Sequence, residues 1–422
     1  MEGCIRETDQ PGKPREICHK VEGNENQESR LRVALVMPFF FTNRIAAISR
    51  YIVELVLRDS RFSYTLITTQ SAQCRTFEVG FDHIVQINAE GHGAFYRQAS
   101  EMCGFYDLVA FYGGYPGALL FMRSFAGKPV PKLLNLFSYK FSIKELRHLK
   151  KTDYCHAFRR IFMHQHFWSG TIPTGMFQRY FQNCRIKKII CPSHRLTRIY
   201  RRIAGENNCV CLRPGGDISK IEECGQELPS GLAQRLNGKI TVLHSGLASV
   251  LRGADDVIRA YAAMPERLRS SGRLLLCLYV RPGEKIYSVK EIRKVLDQYL
   301  RDEEYILWDT PVLQMDKVYS IADICVFPYR YCGDIPEVPL TLVELANLGK
   351  RVISNDIGCI GELLPKNNLC SAGNITELRD KLASQIDDLL AERIEAPSDG
   401  YGKFGWDTYV NGYVKELWEA IQ

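Results

Sequence analysis

Pro336-Glu337-Val338-Pro339-Leu340-Thr341-Leu342-Val343-Glu344, continued by Leu345-Ala346-Asn347-Leu348-Gly349, is the stretch on which the reading of this chain turns. Ahead of it lies Ala322-Asp323-Ile324-Cys325-Val326-Phe327-Pro328, a short β-branched run of the kind that forms a buried strand. Pro339 suits the first turn of a helix, where a missing N–H costs nothing. Gly349 suits the far end as a left-handed cap. Arg351-Val352-Ile353-Ser354 then begins a new strand. The pattern is strand, loop, helix, strand, with a glutamate on either side of the helix start.

The start of such a helix offers free N–H groups and the positive end of its dipole, and both attract an anion such as a phosphate. Glu344 falls one to two turns inside, where a carboxylate can accept hydrogen bonds from a ribose diol. Glu337 falls on the loop, within reach of sugar hydroxyls. The plain alternative is a surface helix residue and a solvated loop charge, and the local pattern does not separate the two.

Outside this segment the composition sets limits. A chain of 422 residues is too long for one ordinary core and points to two domains. A hydrophobic content of 45% is that of a globular protein. No apolar run reaches the length of a membrane span, and the N-terminus lacks the apolar core of a signal peptide. An intracellular, cytoplasmic protein is expected. The 15 cysteines are odd in number, none is spaced Cys-x-x-Cys, and many sit in apolar runs, as Cys191, Cys277 and Cys325 do. They are expected to be reduced, buried thiols. The formal charge of +7 is uneven: residues 31–200 carry 23 Lys+Arg against 9 Asp+Glu, whereas the rest of the chain is net acidic. A basic first half suggests an anionic partner there, with a membrane surface, a lipid phosphate and nucleic acid all open.

Taken in order, residues 1–29 are polar and aperiodic and are expected to be a disordered tail. Leu31-Arg32-Val33-Ala34-Leu35-Val36 is the first strand, and a helix is expected over 45–58. Phe39-Phe40-Phe41-Thr42-Asn43-Arg44 joins them; its aromatics either cover the core or meet an apolar acceptor. Further strands are expected at 64–69, 84–87 and 107–112. The last runs into Gly113-Gly114-Tyr115-Pro116-Gly117, a turn whose glycines let the backbone approach a ligand. Strands at 132–137 and 188–193 follow. Residues 140–160 are basic with interspersed aromatics and are the candidate membrane or acceptor surface. His164-Gln165-His166 places two imidazoles on one strand face, too few ligands for a metal site. The second half repeats the alternation, with strands at 240–246, 273–280, 305–308, 322–328 and 351–354, and helices at 255–264, 288–300, 376–390 and from 404 to the end. Strand and helix alternating twice over give an α/β fold of two doubly wound, Rossmann-like parallel-sheet domains.

The segment around Glu337 and Glu344 resembles the donor-binding segment of family 4 glycosyltransferases, retaining enzymes of the GT-B fold. The likeness extends over most of residues 31–422. It implies domains at 31–212 and 213–403, facing across a cleft, with a last helix over 404–422 packing back on the first and a tail over 1–30. Val210-Cys211-Leu212-Arg213-Pro214-Gly215-Gly216-Asp217 resembles the family's crossover. By the same likeness, a nucleotide-sugar donor is held by Gly246, Arg252, Thr310, Val312, Glu337, Leu340, Thr341 and Glu344. Arg252 and Glu337 are the residues assigned to catalysis: the first steadies the leaving diphosphate, the second holds the sugar. Glu344 holds the ribose. No cofactor or metal is expected, and no nucleic-acid partner. The acceptor implied is a hydroxyl on a glycan or a lipid-linked molecule; the basic first half, independently of the likeness, suggests an anionic membrane surface as a further partner.

The chain departs from that family at four places. Six residues separate the glutamates where the family has seven, so Asp334 is the substitute for Glu337. Val338-Pro339-Leu340 replaces Gly-Phe-Gly. Leu247 stands where the family places an arginine, and Arg252 where it places a lysine. Phe137-Ser138-Tyr139 stands where a histidine usually ends the strand. These departures keep two other functions open: a catalytically degenerate protein that binds a sugar nucleotide or a partner enzyme, and a sugar-nucleotide epimerase.

Overall fold

The computed structural model describes residues 15–17, 30–38, 47–69, 80–142, 145, 168–216, 231–236, 238–279, 289–309, 315–392 and 405–422. The chain divides into two compact units. The first comprises Met1–Lys140, Trp168–Pro214 and Trp406–Gln422; the second comprises Phe141–Phe167 and Gly215–Gly405.

The first unit holds an eight-stranded sheet. Its strands are β1 (Arg15–Ile17), β2 (Arg32–Val36), β3 (Ser63–Thr69), β4 (His83–Ile87), β5 (Leu108–Gly113), β6 (Lys132–Leu136), β7 (Ile186–Cys191) and β8 (Cys209–Cys211). They lie in the order β1-β4-β3-β2-β5-β6-β7-β8. All neighbours from β2 to β8 are parallel, and β1 alone runs antiparallel, against β4. The polar composition of residues 1–29 gave no sign of β1, which borrows its order from the edge it pairs with. Helices α1 (Ala47–Arg58), α2 (His92–Glu101), α3 (Tyr115–Ser124), α4 (Thr174–Asn183) and α5 (His194–Ala204) connect the strands.

Strand residues alternate faces, and the packing follows that alternation. Ala34, Val36, Phe111, Leu134, Leu136, Ile189 and Cys191 share one core with Phe95, Phe121, Phe177, Leu196 and Tyr200 from α2 to α5. The opposite face presents Tyr112 and Asn135, discussed below.

The second unit holds six parallel strands: β9 (Ile240–Leu247), β10 (Gly272–Tyr279), β11 (Tyr305–Trp308), β12 (Ile324–Phe327), β13 (Arg351–Asn355) and β14 (Leu369–Cys370). Their order is β11-β10-β9-β12-β13-β14. The helices are α6 (Leu232–Leu236), α7 (Ala254–Ala262), α8 (Glu266–Ser271), α9 (Val289–Tyr299), α10 (Met315–Ser320), α11 (Leu340–Asn347) and α12 (Ile375–Leu390). Val242, Leu274, Leu276, Ile324 and Ile353 face α7, α9 and α12. Leu243, Leu275, Cys325, Phe327 and Val352 face α10 and α11. Burial of both faces explains why these strands read as continuous apolar runs.

The chain ends in α13 (Trp406–Ile421), which belongs to the first unit. Trp406 and Tyr409 meet Tyr51 of α1 edge-on at 5.5 and 5.3 Å. Tyr413 accepts a 2.9 Å hydrogen bond from the buried Asn135 amide of β6. Together α1 and α13 cover the face of the sheet opposite α2 to α5.

Candidate functional site

The strand order of the second unit locates its ligand crevice. From β9 the chain moves outward through β10 to β11; from β12 it moves the other way through β13 to β14. Such a reversal leaves a gap beyond the carboxyl ends of the two central strands, here β9 and β12, which no crossing helix fills. Pairing between β9 and β12 is recorded at Val242 with Ile324 and Leu243 with Cys325. One residue further, the His244 ring replaces the ladder: its Nδ1 lies 2.7 Å from the Val326 carbonyl. Nδ1 therefore carries the proton and donates it. Burial pushes the ring's pKa down to about 4, Arg252 nearby adds to the shift, and the ring is neutral at pH 7.

Gly246 and Arg252 approach the gap from the β9 side. Gly246 has φ +125°, which favours glycine. A Cβ there would lie 3.3 Å from Arg252 Nη1, so the bare backbone leaves room for the guanidinium. The next turn is tighter. Gly253, the N-cap of α7, has φ +76°, and a Cβ on it would sit 2.2 Å from the Pro328 carbonyl oxygen. Glycine at 253 thus lets the Arg252 turn press against the segment that leaves β12.

That segment is tied to the same turn by charge. Arg330 is fully buried. Its Nε donates to Asp256 Oδ2 at 2.6 Å, and its Nη2 lies 2.5 Å from Asp256 Oδ1 and 2.9 Å from Asp255 Oδ2. The Arg330 backbone N–H donates to Leu251 O at 2.8 Å. A buried cation facing two carboxylates at the start of α7 is compensated in charge and geometry. The sequence passes over Arg330 because a charge between two tyrosines just after a strand looks like any loop residue.

Arg252 itself meets Asp334. Its Nη2 donates to Asp334 O at 2.9 Å, and its Nε lies 3.4 Å from Asp334 Oδ2. The carboxylate is 3% exposed and the arginine side chain 16%. Asp334 closes a short helical turn, Cys332–Asp334. Of the two acids before α11, Asp334 is the one that contacts Arg252. Glu337 is half-buried, and its carbonyl accepts from Cys359 Sγ at 2.6 Å.

Helix α11 forms as its sequence leads one to expect. Pro339 is the N-cap rather than the first helical residue and offers no side-chain acceptor. Gly349 has φ +65°. Leu342, Val343 and Leu345 are buried, while Thr341 and Glu344, three residues apart, share the half-buried face. Both meet the buried Tyr319 of α10: Thr341 hydrogen-bonds to it, and burial, reinforced by the nearby charge of Glu344, holds its phenol well above the ordinary pKa. The crossover packs on this helix as well, since a Cβ at Gly216 would lie 2.6 Å from Val343 O.

The structure brings Gly246, Arg252 and Asp334 together beside the β9–β12 gap, and places Glu337, Leu340, Thr341 and Glu344 on the loop and helix that follow. Thr310 and Val312 lie outside the described residues, as do the loop 39–44 and His164 to His166. Leu247 ends β9 opposite Tyr279 and is buried, so no second cation enters from that position. Among the described residues, no group of three or more His, Cys, Asp or Glu side chains is placed to hold a metal ion.

In the first unit, strand order reverses between β2 and β5, and the Gly113-Gly114 turn ends β5. A Cβ at Gly114 would come within 2.5 Å of Ser138 Oγ, so the turn closes directly on the segment after β6. Phe137 is buried and packs edge-on against Tyr51 at 4.7 Å. The position where the family places a histidine is here part of the aromatic core under α1.

No protein-family model matches this chain, and no curated protein does. Solved structures do. A glycosyltransferase from Rickettsia africae ESF-5 superposes with a TM-score of 0.68 at 12% identity, over 93% of this chain and 99% of that one. Anabaena HepE, in complex with UDP and glucose, gives 0.65 at 14% identity over 92% and 100%. The sucrose-phosphate synthase of Thermosynechococcus elongatus gives 0.65 at 14% over 93% and 100%. The fold is GT-B. At these identities the likeness speaks for the fold; the function rests on the residues above.

Proposed function

We propose that the protein is a glycosyltransferase that moves a sugar from a nucleotide-sugar donor to a hydroxyl of a glycan or lipid-linked acceptor. The carrying observation is the convergence of Gly246, Arg252 and the start of α11 on the β9–β12 gap. In this reading the donor diphosphate lies between the Arg252 guanidinium and the free amides at Leu340 and Thr341. There the cation and the helix dipole stabilise the charge that develops as the sugar departs. Asp334 holds the Nε–Nη2 edge of Arg252, which leaves the Nη1 side, over Gly246, to the phosphate. Glu344 takes the ribose diol, and Glu337 the sugar hydroxyls. Transfer with retention and without a metal is part of the proposal, since the leaving group has protein donors of its own. The UDP and glucose held by HepE support a donor of that class.

Calorimetry with UDP, GDP and ADP tests the donor site. One of them should bind the wild type, and Glu344→Ala should lose at least tenfold in affinity, equivalent to about 1.4 kcal/mol. Unchanged affinity in the variant refutes the ribose role.

A catalytically degenerate nucleotide-sugar binder is the second reading. It is favoured by the single arginine, already paired with Asp334, and by the buried Phe137. The two readings separate on turnover: the enzyme releases free nucleotide from its donor when acceptor is present, and the binder does not. An epimerase would convert the donor with no acceptor at all.

A further inference from the structure

We infer that His244 is a positioning residue of the donor gap: its imidazole takes the place of the peptide ladder between β9 and β12 and so keeps Gly246 and Arg252 set for the phosphate. The inference rests on the donor site proposed above and gives a role there to a side chain that is not one of its ligands. It begins with the place where the sheet parts. β9 stays paired with β10 from Ile240 opposite Gly272 as far as Leu247 opposite Tyr279, and β12 stays paired with β13 as far as Phe327 opposite Ser354. Both outer ladders thus run past His244 and Val326. The central ladder covers only Val242 with Ile324 and Leu243 with Cys325. The gap therefore opens inside the sheet and does not come from fraying of its end.

Beyond that point, side chains satisfy the carbonyls of the chain leaving β12. His244 Nδ1 lies 2.7 Å from Val326 O, Ser354 Oγ donates to Phe327 O at 2.6 Å, and Asn355 Nδ2 donates to Tyr329 O at 3.1 Å. All three side chains are buried. Ser354 and Asn355 reach across from β13, and His244 reaches across from β9. Buried carbonyls require such partners, and a ladder would bring its two strands to about 4.8 Å. A ring set between a Cα and the facing carbonyl satisfies the acceptor while holding the strands wider apart. Two residues on, along the same face of β9, comes Gly246, whose bare backbone leaves room for Arg252 Nη1.

The other ring nitrogen narrows the role. Burial, helped by the nearby charge of Arg252, keeps the ring neutral. With the proton on Nδ1, Nε2 is a bare acceptor, and it is buried with no hydrogen-bond partner among the described residues. A buried acceptor left unsatisfied costs stability. Leucine at 244 would avoid that cost; what it would lack is the Nδ1–H donor. The contact with Val326 is therefore the property that suits an imidazole to this position, and it acts on the donor through the two strands.

Calorimetry with UDP, GDP and ADP on His244→Leu, His244→Asn and His244→Gln tests the role. An asparagine amide N–H falls near the position of imidazole Nδ1, whereas that of glutamine falls near Nε2. The leucine variant should stay folded and bind the nucleotide about tenfold or more weakly than the wild type. Asparagine should restore affinity to within about threefold, and glutamine should not. Unchanged affinity in the leucine variant overturns the inference. So does rescue by glutamine in place of asparagine, which would put the function at Nε2. If the leucine variant does not fold, the comparison of asparagine with glutamine decides. Nitrogen-15 NMR of the wild-type ring at pH 7 reads the contact with no nucleotide present: the proton should sit on Nδ1, and a proton on Nε2 overturns the inference. A wild type that binds none of the three nucleotides refutes the donor site and this role with it, a result distinct from a binding wild type whose leucine variant binds equally well.

Discussion

Arg330→Met is the substitution whose cost the structure fixes most directly. The guanidinium is fully buried and makes three charged contacts of 2.5 to 2.9 Å to Asp255 and Asp256. Methionine fills similar volume but takes the Arg330 cation away from two adjacent carboxylates, whose side chains are 14% and 2% exposed. Breaking a buried ion pair from one side costs about 3–5 kcal/mol. The carboxylates sit in the first turn of α7, whose dipole returns about 1 kcal/mol, so the net loss is about 2–4 kcal/mol. For a unit of this size each kcal/mol moves the midpoint by roughly 2–4 °C. Scanning calorimetry should therefore show the transition of the second unit lowered by roughly 4–16 °C. The neutral triple variant Arg330→Met/Asp255→Asn/Asp256→Asn should recover most of the loss, because no buried charge remains. A single variant within about 2 °C of wild type, or a triple variant no better than the single, would refute the assignment of the cost to uncompensated charge. Because the Arg330 backbone anchors Leu251, one residue before Arg252, the single variant should also bind nucleotide more weakly.

Two further outcomes follow from the same gap. Gly253→Ala forces a left-handed backbone, at about 1–2 kcal/mol, and drives a Cβ to 2.2 Å from Pro328 O. It should lower stability by at least about 2 kcal/mol in urea unfolding and weaken nucleotide binding together; wild-type values for both would show that the turn can relax. His244 should give stability a pH dependence. Its ring titrates near 6.5 when unfolded and at about 4 when buried, so above pH 6.5 it contributes no pH dependence. Between 6.5 and 4 only the unfolded chain takes up the proton, and stability falls as pH falls; from pH 7 to 5 the loss is about 2 kcal/mol. His244→Phe should remove that share of the loss when urea midpoints are compared at pH 7 and 5, and an identical pH dependence in both proteins would contradict it.

How much of this was legible beforehand differs by level. The central strands were visible because they are buried on both faces and read as unbroken apolar runs; Tyr305–Trp308 and Ile324–Phe327 fall where the sequence puts them. Helix α11 was visible because Pro339 and Gly349 punctuate it. The short strand β1 was not, since Arg15–Ile17 is ordered by a partner far along the chain rather than by its own composition. The site was legible only in part, and for a physical reason. Gly246, Arg252 and Glu344 carry local marks: a strand ending in glycine, a cation before a glycine, an acid at a fixed depth in a helix. His244, Arg330 and Tyr319 owe their places to partners 82, 74 and 75, or 22 and 25 positions away in sequence, and nothing beside them announces it.

The two acids before α11 show where counting residues gives way to geometry. Spacing favours Glu337, with Asp334 as the substitute, because spacing measures distance along the chain. What the guanidinium of Arg252 meets depends on how the chain folds between Pro328 and Pro339, and that path is set by Arg330. With Arg330 drawn down onto Asp255 and Asp256, the chain rises again through Tyr331 into the turn Cys332–Asp334. The turn delivers both the carboxylate and the carbonyl of Asp334 to Arg252. A loop without that buried anchor could lie differently over the same six-residue spacing. The buried cation that no local signal marks therefore decides which acid stands beside Arg252.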